Sequence, residues 1–162
     1  MKKGIVLGMV LVLALLFSCQ ALAGFQESRW QIIEDLADPR QDFTVSKAGW
    51  ERSDLRDGTP RWMCTIKNKY IYEVQGSPIN KATLLGELGG TEQSGYELGC
   101  RLIDFMEAVG VAESKAQEVC QTLFNATVAD PGVKYFLVSG KIRVELVYYD
   151  NMGTFMMVLT KS

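Results

Sequence analysis

"VKYFLVSGKIRVELVYYDNMGTFMMVLTK", residues 133–161, holds three β-rich runs separated by Ser139-Gly140 and by Asp150-Asn151-Met152-Gly153. In the middle run Ile142, Val144, Leu146 and Tyr148 alternate with Arg143 and Glu145. A period of two, apolar then charged, belongs to an antiparallel strand with one face buried. The stretch therefore predicts a three-stranded meander. Neighbouring residues in a strand point to opposite faces. Tyr148 and Tyr149 are thus divided between the two faces, and Met156 and Val158 lie opposite Phe155, Met157 and Leu159. Tyr149, Met156 and Val158 are the candidate partner surface, an apolar sheet face turned away from the helices. The competing expectation is a sheet packed on both sides.

Upstream of the meander, "TEQSGYELGCRLIDFMEAVGV" (91–111) places Leu98, Leu102, Phe105 and Val109 at helical spacing. Ser94 and Glu97 have the spacing of a capping box, which puts the helix start at Ser94. Arg101, Asp104 and Ala108 are expected on the opposite, outer side, and Gly110 is a C-terminal stop. A second helix is expected from about Glu113 to Ala126, with Ala116, Val119, Cys120, Leu123 and Phe124 inward. The short connection makes the two an antiparallel hairpin.

Towards the N-terminus, "RWMCTIKNKYIYEVQG" (61–76) reads as a β-hairpin with Trp62, Cys64 and Ile66 on one face. Short strands are expected around 50–55 and 82–88. A helix is expected over 25–37, ended by Pro39. Strands, paired helices and strands again, without a βαβ rhythm, predict an α+β domain. One antiparallel sheet combines the N-terminal hairpin with the C-terminal meander. The N-terminal helix and the helical hairpin pack on one of its faces.

The first 23 residues carry a different message. Met1-Lys2-Lys3 precedes an uncharged run of 13 residues, Ile5 to Phe17. That is a signal-peptide core, too short for a membrane span. Ala21 and Ala23 suit cleavage after Ala23, leaving residues 24–162 as a single domain. Leu16, Ser18 and Cys19 also approach a lipobox, so the alternative is acylation of Cys19 and a membrane-anchored lipoprotein. Periplasmic or secreted localisation follows from the first reading, and the Lys-Lys start reads as bacterial. Removing Lys2 and Lys3 leaves 15 basic against 19 acidic side chains. A chain so balanced, without basic clusters, predicts no nucleic-acid partner.

Chemistry is constrained by an absence: the chain has no histidine. That removes His-based nucleophile pairs, histidine zinc sites and the commonest general base near neutral pH. Separations of 36 and 20 residues between Cys64, Cys100 and Cys120 include no C-x-x-C pair. The helical hairpin would set Cys100 and Cys120 nearly level, and a disulfide there is expected to add about 3 kcal/mol. Cys64 reads as a buried free thiol. No cofactor or metal motif is present. The acids Asp35, Asp38, Asp42, Asp54 and Asp57 read as solvated turns, with a carboxylate-dependent hydrolase as the remote alternative. The expected function is a non-catalytic exported module that binds a protein or envelope component.

Overall fold

The computed structural model describes residues 25, 26, 28–41 and 43–162. The signal segment, its cleavage after Ala23 and the Cys19 alternative lie outside the described residues, as does Asp42. Among those described, the elements in chain order are α1 (Arg29–Leu36), β1 (Glu51–Asp54), β2 (Pro60–Ile66), β3 (Tyr70–Gly76), β4 (Ile79–Glu87), α2 (Glu92–Val109), α3 (Glu113–Ala129), β5 (Tyr135–Ser139), β6 (Ile142–Tyr149) and β7 (Thr154–Lys161).

The seven strands form one sheet in the order β1-β2-β3-β4-β7-β6-β5, with every neighbouring pair antiparallel. Residues 51–87 thus supply a four-stranded meander and residues 135–161 a three-stranded one. The two join where Leu84 pairs with Met157. The α2–α3 hairpin is the connection between them. The expected α+β architecture, with the helices on one face, is the architecture found.

Alternation decides which side chains enter the core. Tyr70, Tyr72 and Val74 on β3, Ala82 and Leu84 on β4, and Phe155, Met157 and Leu159 on β7 are all buried on the helix side. They meet Leu98, Leu102, Phe105 and Met106 of α2 and Ala116, Val119 and Leu123 of α3. Full burial of each large aliphatic or aromatic side chain contributes roughly 1.5–3 kcal/mol. Gly86 on β4 marks a close approach of α2, since a Cβ there would stand 2.5 Å from Leu98 Cδ1.

Three local expectations need correction. First, α1 covers Arg29–Leu36 rather than the whole of 25–37. Second, α2 is capped by Thr91, not Ser94. The Thr91 hydroxyl accepts from the Ser94 backbone N–H at 3.2 Å, and Ser94 Oγ accepts from the Thr91 N–H at 3.3 Å. A hydroxyl at the third helical position closes the box in place of Glu97, which turns to Arg101 instead. Third, Arg101 and Ala108 do not face outward, being only 3 % and 1 % exposed. The chain before α2 folds back over that side, with α1 lying against α2 and Gln26 N–H donating to the Val109 carbonyl at 2.7 Å.

The other sheet face carries an apolar row in register, Ile71–Leu85–Met156–Val147. It is flanked by the row Glu73–Thr83–Val158–Glu145. Among the described residues no helix is long and apolar enough to cross a membrane.

Candidate ligand-binding cleft

Trp30, Trp50 and Trp62 are the only tryptophans in the chain, 20 and 12 residues apart. Folding brings all three to one surface cleft of about 210 Å³, together with Arg29, Ile33, Lys47 and Arg52. Trp30 and Ile33 come from successive turns of α1. Trp50 follows the short 3₁₀ turn Lys47–Gly49, and Trp62 stands directly across from Arg52 in the β1–β2 register. Trp30 is 61 % exposed at the rim. The Trp50 indole N–H is buried and meets no acceptor among the described residues.

Arg29 lies against two of the three indoles. Its guanidinium carbon lies 4.2 Å from the Trp30 ring centre and 4.1 Å from that of Trp62. Arg52 reaches the Trp62 ring at 5.8 Å. The neighbouring cations are neutralised, Lys47 by Glu34 at 2.6 Å and Arg52 by Asp54 at 3.0 Å. Elsewhere Arg40, Arg61, Arg101 and Arg143 each face a carboxylate. Arg29 faces indoles and has no carboxylate partner among the described residues. Partial burial, and then repulsion from Arg52, lower its pKa.

The sequence-derived candidates fall elsewhere. Met156 lies in the apolar row of the open face, Val158 between Thr83 and Glu145, and Tyr149 opposite Thr154 at the end of β6. All three are half-buried. They share a face but do not line a concave site with the tryptophans. No spacing in the sequence links the three indoles. The signal that could have done so is the Arg29-Trp30 pair read together with the Arg52–Trp62 register.

A second cavity, of about 390 Å³, lies where the segment after α1 meets the α2–α3 turn. Asp38, Arg40, Gln41, Asp104, Glu107 and Glu113 line it. Hydrogen bonds from Arg40 hold the Asp38 carboxyl at about 2, while burial, and then Glu113, raise that of Glu107. Carboxyls pushed in opposite directions resemble an acid–base pair. Both Asp38 oxygens, however, already accept from the Arg40 guanidinium. Among the described residues no group of three His, Cys, Asp or Glu side chains could hold a metal ion.

No disulfide joins Cys64, Cys100 and Cys120 in this structure. Burial, and then the nearby Cys100, push the Cys120 thiol up to about 12. Burial also raises Cys64. Neither is poised as a thiolate nucleophile at neutral pH. Tyr72, inside the core, is pushed up to about 12, chiefly by burial.

These shifts fix an alkaline limit. Cys120 and Tyr72 hold their protons more tightly in the folded chain than in the unfolded one. Their full contribution is therefore present below about pH 9 and is lost as pH rises towards 12. The rise of Tyr72 from 10.0 to about 12 corresponds to roughly 3 kcal/mol. Thermal unfolding followed from pH 8 to 11.5 should show a falling midpoint above pH 9, and Cys120→Ala should flatten the early part of that fall. A midpoint constant to pH 11 would contradict this account.

No family model, curated protein or solved structure matches the chain.

Proposed function

We propose that this protein is an exported, non-catalytic binding module, periplasmic or secreted, and that the tryptophan–arginine cleft is where it engages an envelope component or partner protein. The observation that supports this reading most is the meeting of three indoles in one cleft with an arginine that has no carboxylate partner among the described residues. Exposed tryptophan and arginine are the residue types that dominate binding energy at recognition surfaces. The lipid-anchored alternative, acylated at Cys19, uses the same cleft from a membrane tether. A carboxylate-dependent hydrolase would draw on Asp104, Glu107 and Glu113 in the acidic cavity, and the pairing of Asp38 with Arg40 weighs against it.

The test uses the mature chain purified from the envelope of an expressing cell, with intact mass giving its start. A soluble species beginning at Gly24 supports the exported form, and acylated Cys19 supports the anchored one. Retention on washed, isolated envelopes is then compared for the parent chain, Trp30→Ala/Trp62→Ala, and Tyr149→Ala/Met156→Ala/Val158→Ala, each checked for folding by circular dichroism. The cleft variant should lose most of its retention and the sheet variant should keep it. The reverse pattern would move the site to the open sheet face, and no retention of the parent chain would sink the binding reading.

A further inference from the structure

We infer that the cleft selects a small organic oxyanion, a carboxylate or phosphate carried on a flat ring; this deepens the reading of the cleft as the binding site and rests on it. The chemistry follows from how Arg29 is held. A guanidinium stacked on aromatic rings uses its π faces, and its hydrogen-bond donors radiate in its own plane. Contacts at 4.2 and 4.1 Å place the guanidinium carbon over the Trp30 and Trp62 rings, and no carboxylate among the described residues takes up its N–H fork. That fork matches a carboxylate or phosphate bidentately, and charge-assisted bonds of this kind are about twice as strong as neutral ones.

Charge points the same way. Lys47 and Arg52 are answered by Glu34 and Asp54, so among the described residues that line the cleft the cation left for a ligand is Arg29. The obvious alternative, an aromatic cage for a quaternary ammonium, is a common use of clustered tryptophans. Here the Trp30 and Trp62 rings already carry the Arg29 guanidinium. A cationic ligand would be repelled by that charge, whereas an anion is drawn to it. The ring requirement comes from the remaining lining. Ile33 and the indoles give an apolar surface, and about 210 Å³ admits one ring of modest size.

The experiment titrates the parent chain with phenyl phosphate and benzoate, with benzyl alcohol and inorganic phosphate as the two halves of the ligand, and follows tryptophan emission. Phosphatidylglycerol vesicles are a separate arm, for the same oxyanion presented by a membrane. The ring-borne anions should bind at least tenfold more tightly than either half. Arg29→Gln should abolish that preference while leaving the circular dichroism spectrum and the thermal midpoint in place. Equal binding of benzyl alcohol would remove oxyanion recognition, and equal binding of inorganic phosphate would remove the ring. Binding to vesicles alone would replace a small ligand with a membrane surface and overturn the inference. If neither small anions nor vesicles bind but envelope retention still depends on Trp30 and Trp62, the ligand class is wrong and the binding reading stands. If retention is also independent of the cleft, both fail.

Discussion

Glu97→Ala should lower the unfolding free energy by about 3–5 kcal/mol, because it leaves the buried Arg101 guanidinium without its carboxylate. Arg101 is 3 % exposed, and Glu97 Oε1 accepts from its Nε at 3.0 Å and its Nη2 at 2.9 Å. A third donor, Nη1, reaches the Tyr72 hydroxyl at 3.2 Å. The rings of Tyr70 and Phe43 lie 4.5 and 5.1 Å from the guanidinium carbon. Burial works against the charge, and Tyr72 and Glu97 outweigh it, so Arg101 stays protonated. Without Glu97 the aromatic contacts and one phenol cannot replace the lost solvation. Arg101→Met removes the charge itself and leaves Glu97 in reach of Lys67, 3.9 Å away and exposed. It should cost less, about 1–2 kcal/mol. The double variant Glu97→Ala/Arg101→Met should then be more stable than Glu97→Ala alone. Urea denaturation of the three variants decides it, and additive losses would show that the pair is not coupled. For a domain whose whole stability is about 5–15 kcal/mol, the single substitution approaches the limit of folding.

The loss on replacing Phe155 by alanine should be of similar size, about 3–5 kcal/mol. Phe155 is fully buried on β7, an interior strand between β4 and β6. Its ring stacks on Phe124 of α3 at 4.7 Å and 12°, and on Tyr148 of β6 at 4.4 Å and 20°. Truncation would remove the middle ring of three and leave a cavity between α3 and the sheet. The adjacent Met156, half-buried on the open face, is the control, and its alanine variant should lose no more than about 1 kcal/mol. If the two losses were equal, α3 would not be held to the sheet through this stack.

How far the sequence could be read is clearest in single elements. The alternation from Ile142 to Tyr148 is a local property, and it fixed both the strand and its inward residues. The helical spacing of Leu98, Leu102 and Phe105 did the same for α2. Arg101 was misplaced because periodicity describes one buried stripe. Whether a second stripe is covered depends on a segment more than fifty residues away, where α1 and the chain around Phe25 and Phe43 lie over α2. The cap moved from Ser94 to Thr91 because two hydroxyls spaced three apart can close a box as well as a hydroxyl and a carboxylate can.

The cleft was less legible than the fold. Trp30, Trp50 and Trp62 carry no spacing signature, since each belongs to a different element. Backbone periodicity and turn chemistry act within a few residues, so the sequence by itself determined the strands, the helical hairpin and the side of each strand that enters the core. Pairing of β4 with β7, docking of α1 on α2 and the meeting of three indoles and Arg29 in one cleft depend on contacts between distant segments. Those contacts form only when apolar faces are buried together, and the tertiary structure alone decided them.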